Sequence, residues 1–446
     1  MTFWKRLFGT KAEPLKPQTQ ARFGRYTDSY KEKMQYAAWE TSLDLFDKED
    51  YLGSYREFFK YLRDNREDNV RWIEANGGIE FEILQGSKRV AGFASAQSVN
   101  AVARIAHAEN LNIAVMRRLV EANFILEYSR YGLDDDNNLV IKFDTAALDA
   151  SPYKLYYGLK EVAVNADKQD DLLLDEFGEQ LSPIDQGSKA DLPTAERETR
   201  YAFIVEKIAA TLAEIDNGKL DADKYPSGIS YLLLDAAYRI DYLASPEGFT
   251  METVERMNRL FFTKDERTTV QKNAALRKEF EKIVTRPKAL IFNELYATTS
   301  SFGILQPKSH DTLAQLIGGE LPNMAWYEES KHEAVALAVT GYVVGNALFT
   351  YALPKPDREL LELYYRIFEP RLMTALGLTP LQYFEEKTGV FDQKAIKIAV
   401  RDIIERGLEK HPRLAPNFNL LDFRTPTALA RTYLNMVAAL EFSPKE

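Results

Sequence analysis

The chain has 446 residues, of which 45% are hydrophobic and 28% charged, so it has a globular composition but exceeds the usual size of one hydrophobic core. It contains no cysteine, which excludes disulfides, thiolate nucleophiles and thiolate metal sites and is typical of a reducing, cytoplasmic location. A formal net charge of −10 without clustered Lys and Arg argues against a nucleic acid partner.

The first 27 residues are predicted to form a flexible tail, because Pro14, Pro17 and many polar side chains accompany a lack of apolar periodicity. The opening sequence, MTFWKRLFG, lacks the longer apolar core of a secretory signal. Its aromatic and basic side chains fit a weak membrane-surface anchor. Two helical turns bury little area, however, so a tail without membrane contact is favoured.

Two amphipathic helices are predicted to follow, over about 29–47 and 51–64. The second has large apolar side chains at helical spacing, which are Leu52, Tyr55, Phe58, Phe59 and Leu62. A stripe of this kind needs an apolar surface to cover.

The residues after these helices predict three antiparallel strands. In the central one, Ile79, Phe81 and Ile83 alternate with glutamates, which is the period-two pattern of a strand with one face in solvent. Turn-forming residues on either side predict its neighbours near 69–75 and 89–95. This sheet is the surface that the stripe of the second helix is expected to cover.

The stretch 99–107 fits either a further strand or the start of a helix, since its periodicity does not distinguish the two. A helix, two strands and a long helix are predicted after it, over about 112–122, 124–131, 139–143 and 151–177. Ser151 and Pro152 begin the long helix with a capping hydroxyl and a proline at the first helical position. The polar turn at 134–138 is interpreted as a hairpin tip and not as a calcium loop, which needs a distal bidentate carboxylate.

Residues 179–192 are rich in polar side chains and contain Gly and Pro, which predicts a linker. All later segments predict helices, at about 194–215, 228–244, 250–261, 265–284, 287–297, 311–317, 330–353, 357–376, 380–387, 392–409 and 426–440. The expected fold class is therefore α+β, with an antiparallel sheet packed with helices over 28–178 and a larger all-helical domain over 193–446.

Residues 334–353 are uncharged, mostly apolar and long enough to cross a bilayer. Gly341 and Gly345 form a GxxxG pair, which permits close helix approach in lipid and in a soluble core alike. Polar Thr and Asn side chains and the lack of a second such segment favour a central buried helix over a membrane span.

The segment from Leu111 to Phe177 contains the helix pattern Asn112-x-x-Val115-x-Arg117-Arg118, the acidic-tipped hairpin FILEYSRYGLDDDNNLVIKFD, and Ser151-Pro152-Tyr153 before the last helix. This segment resembles the type III secretion chaperone-like superfamily, in particular its YbjN-like bacterial branch. With the upstream helices and strands, the resemblance covers residues 28–178. It implies a fold that binds other proteins, often as a dimer, and no enzyme activity. The chain is far longer than the dedicated chaperones, which favours an adaptor.

Catalytic and metal-binding motifs are missing from the sequence. His332 and Glu333 begin like the zinc motif HExxH, but Ala336 stands in the second ligand position, so no metal or cofactor is expected. No nucleophile elbow, dinucleotide fingerprint or phosphate-binding loop occurs. A catalytic site whose residues are brought together only by folding cannot be identified from the sequence.

We therefore expect a non-enzymatic protein-binding adaptor or chaperone-like component of a bacterial multi-protein system. The candidate partner-binding residues lie on the second helix and the central strand, and are Tyr55, Phe58, Phe59, Ile79, Phe81 and Ile83. Their alternative role is internal core between helix and sheet. The alternative function is an enzyme or small-ligand-binding protein with its pocket in the helical region.

Overall fold

The computed structural model describes residues 21–24, 31–64, 67–109, 111–184, 188–378 and 383–442. The chain divides into two compact units, and the first combines Tyr26–Asp191 with the later segment Tyr296–Ile304. The second contains Leu192–Leu295 and Leu305–Glu446, together with Gln18–Arg25. The predicted α+β class is confirmed, whereas the predicted tail over 1–27 lies outside the described residues apart from 21–24.

Among the described residues, the first unit contains a large sheet, a separate two-stranded pairing and four α-helices. In chain order its elements are α1 (Lys33–Asp47), α2 (Tyr51–Leu62), β1 (Val70–Ala75), β2 (Gly78–Gly86), β3 (Lys88–Ser95), β4 (Ser98–Ala108), α3 (Ile113–Asn123), β5 (Arg130–Leu133), β6 (Asn138–Ala146), α4 (Pro152–Phe177), β7 (Leu181–Pro183), β8 (Ala190–Asp191), β9 (Tyr296–Ala297) and β10 (Thr299–Ser300).

The sheet is antiparallel, with the strand order β1-β2-β3-β4-β6-β5. The ambiguous stretch at 99–107 lies in β4, which pairs with both β3 and β6. Part of the predicted linker also joins the sheet, because β7 pairs with β4. The sheet therefore extends beyond the three strands expected for the N-terminal part, and β10 adds a pairing from far along the chain to β2.

The predicted strand near 124–131 begins only at Arg130. The preceding loop is held in place by the carboxylate of Glu161 on α4, which accepts the backbone N–H groups of Glu127 and Tyr128 at 2.8 Å each. These bonds give the backbone partners that a strand ladder would otherwise have supplied. The difference from the prediction therefore comes from a contact distant in sequence.

The second unit is mainly helical. In chain order its elements are α5 (Thr194–Asn217), α6 (Pro226–Arg239), α7 (Gly248–Phe262), α8 (Thr269–Thr285), α9 (Lys288–Asn293), β11 (Gln306–Pro307), α10 (His310–Glu329), α11 (Glu333–Thr350), β12 (Tyr351–Ala352), α12 (Lys355–Phe368), α13 (Pro370–Ala375), β13 (Phe384–Glu385), β14 (Val390–Phe391), α14 (Gln393–Gly407) and α15 (Pro426–Ala438).

Four predicted helices after residue 193 differ from the structure. The helix expected over 287–297 ends at Asn293, and the helix expected over 311–317 extends to Glu329. The helix expected over 357–376 is split into α12 and α13, with Pro370 at the start of the second. Of the helix expected over 380–387, the first residues lie outside the described ones, and Phe384–Glu385 is a strand paired with β14. Short pairings of this kind depend on a partner segment and carry little local signal.

The apolar helix α11 is central to the second unit, where it packs against α6, α10, α12 and α15. By length and composition it could cross a membrane, but 72% of its 18-residue apolar window is buried inside the protein. Its apolar side chains are therefore covered by neighbouring helices of the same unit.

Candidate functional site

The six residues expected to bind a partner lie in the interior of the first unit. Their exposed fractions are 0% for Tyr55, Phe58 and Ile83, and 1% for Phe59, Ile79 and Phe81. The rings of Phe59 and Phe81 have their centroids 4.7 Å apart, where α2 covers the sheet. In this conformation these side chains present no surface to a partner, which agrees with their alternative role as internal core.

A different set of apolar side chains is exposed on α3 and at the start of the loop after it. We define the α3 stripe as Ile113 (79% exposed), Met116 (46%), Val120 (59%), Phe124 (88%) and Ile125 (77%). The first four follow one another at intervals of three and four residues and so lie on one helix face. A contiguous row of large apolar side chains in solvent is typical of an interaction site.

The orientation of α3 is set by contacts on its other side. Asn112 caps the helix by accepting the N–H of Val115 at 3.0 Å, and Val115 and Ala122 are buried against the unit. Arg118 donates to Gln169 on α4 at 3.4 Å. The helix is therefore anchored by its buried face, and the stripe points away from the core.

A partly exposed aromatic pair joins the loop after α3 to α4. Tyr128 stacks on Tyr157, with ring centroids 6.5 Å apart and an interplanar angle of 15°. Both rings remain partly in solvent, with exposed fractions of 37% and 53%. Because Glu161 holds the backbone of Tyr128, this aromatic pair has a fixed position.

A second aromatic group lies where α1 and α2 pack near α4. Trp39 contacts Tyr61 and Tyr153, with centroid distances of 4.8 Å and 5.0 Å, and Tyr153 is 55% exposed. Trp and Tyr are the side chains most often responsible for affinity at protein interfaces. The exposed residues of the first unit therefore include both aliphatic and aromatic side chains suited to protein contact.

The hairpin tip at 134–138 satisfies its own polar groups. Asp134 accepts the N–H of Asn138 at 2.9 Å and pairs with Arg104 at 2.9 Å. Burial raises the pKa of Asp134. The hydrogen bonds from Asn138 and the charge of Arg104 outweigh burial, so this pKa lies below its ordinary value. Among the described residues, no group of three or more His, Asp or Glu side chains is placed to hold a metal ion.

Around α11, where the alternative function would place a ligand pocket, several polar side chains contact one another. The hydroxyl of Tyr238 donates to Asn258 at 2.6 Å, and those of Tyr364 and Thr340 lie 2.7 Å apart. Arg239 lies 2.7 Å from both Asp235 and Glu369. These polar groups therefore bind one another.

No protein-family model matches the chain, and no curated protein matches it. The resemblance to the type III secretion chaperone-like superfamily therefore stays a prediction. The periodicity of the α3 stripe is visible in the sequence, but such a stripe normally predicts burial, so the sequence does not predict its exposure.

Proposed function

We propose that the protein is a non-enzymatic cytoplasmic adaptor, and that the α3 stripe binds an amphipathic helix of a partner protein. The observation that carries this proposal is the exposure of the stripe, from 46% at Met116 to 88% at Phe124. Burying such side chains at an interface removes apolar surface from water, which is the main favourable term in association.

A helix suits the stripe better than an added strand. The backbone of α3 is satisfied within the helix, and the nearby edge strand β5 has the N–H of Tyr131 bound to the Asn123 side chain at 2.7 Å. An extended peptide would need free backbone groups at such an edge. A row of side chains at three- and four-residue spacing instead matches the face of another helix.

The charges beside the stripe favour a partner with both signs of charge. Arg117 and Glu121, which are 79% and 59% exposed, form an ion pair of 2.9 Å along the helix. An exposed pair of this kind contributes little to stability, so its two members can exchange partners readily. A bound helix with charges flanking its apolar face would pair with both.

The test is cross-linking mass spectrometry on the full-length protein captured from its native cells. We expect a partner whose cross-linked segment is an amphipathic helix, and we expect Val120→Glu/Phe124→Glu to abolish its capture. The matched control is Ile73→Glu, which changes an apolar residue of β1 that is 62% exposed in the same unit. Unfolding in urea should show that both variants remain folded.

Two results would overturn the proposal. The first is capture of the same partner by the double variant and the native protein. The second is a cross-link pattern and sedimentation behaviour showing that the stripe is occupied only by another copy of this chain. Self-association would then be its role, and the adaptor function would need another surface.

A further inference from the structure

One face of α14 in the second unit carries a row of positive charge. Lys394, Lys397 and Arg401 follow one another at intervals of three and four residues, and therefore share a face of this helix. With Gln393 and Ile398 they line a shallow depression of about 400 Å³. We call Lys394, Lys397, Ile398 and Arg401 the α14 basic face.

The three cations have no acidic partner among the described residues. Within the part of the chain that the structure describes, none of the three forms an ion pair, whereas Arg406 on the same helix lies 2.7 Å from Glu359. The chain has a net charge of −10, so this local group of cations is opposite in sign to the protein as a whole. Such a group attracts anions that the rest of the surface repels.

Aromatic rings hold two of these cations in position. The ammonium of Lys397 lies 5.5 Å from the ring centroid of Phe423, and the guanidinium of Arg401 lies 5.7 Å from that of Phe418. Cation–π contacts of this kind restrict long side chains that would otherwise lose conformational entropy on binding. The face is therefore partly preorganised.

The arrangement of the cations selects the kind of anion. They extend along eight residues of helix, from Lys394 to Arg401, which is a rise of about 10 Å. The carboxylate of Asp392 already accepts the backbone N–H of Ala395 at 2.9 Å. The N-terminus of α14 therefore has fewer free N–H groups to donate to a compact phosphate. Among the cations lies Ile398, which is 41% exposed.

We infer that the α14 basic face binds an acidic segment of a protein, with carboxylates about one helical turn apart and an apolar side chain between them. The carboxylates would pair with the row of cations, and the apolar side chain would cover Ile398. This surface lies on the second unit and is distinct in chemistry from the α3 stripe, so the inference goes beyond the proposed function. Two surfaces of different character would let one chain bind two partners.

The test uses the full-length protein and two labelled helical peptides, one with Glu at positions i, i+3 and i+7 and Leu between them, the other with Gln replacing Glu. Fluorescence anisotropy should show binding of the Glu peptide alone, weakening as salt is raised from about 50 to about 200 mM. Lys394→Gln/Lys397→Gln/Arg401→Gln should weaken binding about tenfold.

The matched control is Lys264→Gln/Lys278→Gln/Lys331→Gln, which removes the same charge from exposed positions elsewhere in the second unit. It should bind the Glu peptide as the native protein does. Equal weakening in both triple variants, or no binding of the Glu peptide at all, would overturn the inference. So would tighter binding of single-stranded DNA of the same net charge, because the ligand class would then be a nucleic acid.

Discussion

The carboxylate of Asp235 on α6 fills the space that a side chain at Gly341 on α11 would occupy. A Cβ atom added at Gly341 would overlap Asp235 Oδ1, and one added at Gly345 would overlap the Cβ of Tyr238. Asp235 in turn lies 2.7 Å from the Nε of Arg239. The GxxxG pair therefore lets α6 and α11 approach closely around a buried ion pair.

We expect Gly341→Ala to lower the free energy of unfolding by about 2 kcal/mol or more, because the new methyl group must displace a buried carboxylate from its partner. Gly318→Ala on α10 is the control, since a Cβ there meets nothing within 4 Å. The control should raise stability by about 0.5 to 1 kcal/mol, the usual gain for Gly to Ala inside a helix. Urea unfolding of both variants measures the difference, and equal effects would contradict the close-packing role.

Phe59 and Phe124 are expected to respond in opposite ways to truncation. Phe59 is 1% exposed and Phe124 is 88% exposed. Phe59→Ala should cost about 3 to 5 kcal/mol of unfolding free energy, because it leaves a cavity between α2 and the sheet. Phe124→Ala should cost less than about 0.5 kcal/mol. Thermal and urea unfolding, monitored by circular dichroism, measure both costs. A small cost for Phe59→Ala would contradict its role as internal core and make it again a candidate for partner binding.

The buried ion pair of Lys88 and Asp170 should show strong coupling between its members. Their charged atoms lie 2.9 Å apart, and the side chains are 2% and 1% exposed. Burial raises the pKa of Asp170, and the charge of Lys88 opposes that shift. We expect Lys88→Met alone to cost about 3 to 5 kcal/mol, because the carboxylate is left buried without its main partner.

The double variant Lys88→Met/Asp170→Leu should recover much of that loss, since neither charge of the pair remains. The recovery should be incomplete, because the buried hydroxyl of Ser87, which donates to Asp170 at 2.8 Å, would lose this acceptor. A double-mutant cycle from urea unfolding measures the coupling. Additive effects of the two changes would show that the pair is not an energetic unit.

The pair of His310 and Asp357 should make the stability of the second unit depend on pH. Their Nδ1 and Oδ1 atoms lie 2.9 Å apart, and both side chains are buried. Burial lowers the pKa of His310, but the hydrogen bond and charge of Asp357 outweigh it, so the pKa is raised. The folded-state pKa of His310 therefore exceeds its unfolded value of about 6.5. The stabilisation that the protonated His310 gains from Asp357 is complete below that value and is lost as pH rises through the folded-state pKa.

Native protein should therefore lose more stability than His310→Gln between about pH 6 and about pH 8.5. Burial and the charge of Lys410 lower the pKa of His411. Its effect on stability is therefore opposite in sign to that of His310, because the stability contributed by neutral His411 is lost as pH falls through its folded-state pKa. We would compare both proteins in a His411→Gln background to remove that effect. Parallel stability curves over the range would show that the His310 pair does not titrate differently on unfolding.

Local pattern was enough to predict much of the secondary structure. The alternation of Ile79, Phe81 and Ile83 identified β2, and the capping pattern at Ser151 and Pro152 identified the start of α4. These signals act between neighbours in the chain, through side-chain direction and orphan backbone N–H groups. They therefore appear in the sequence without knowledge of the fold.

Only the tertiary structure decided which apolar stripes are covered. The apolar residues of α2 and the α3 stripe have similar helical spacing, yet Phe59 is buried under the sheet and Phe124 is in solvent. The return of the segment 296–304 to the first unit was equally invisible, since it depends on bonds such as the N–H of Ser301 to the Gln85 side chain at 3.1 Å. Contacts between distant residues are set by how the elements pack, which no local periodicity encodes.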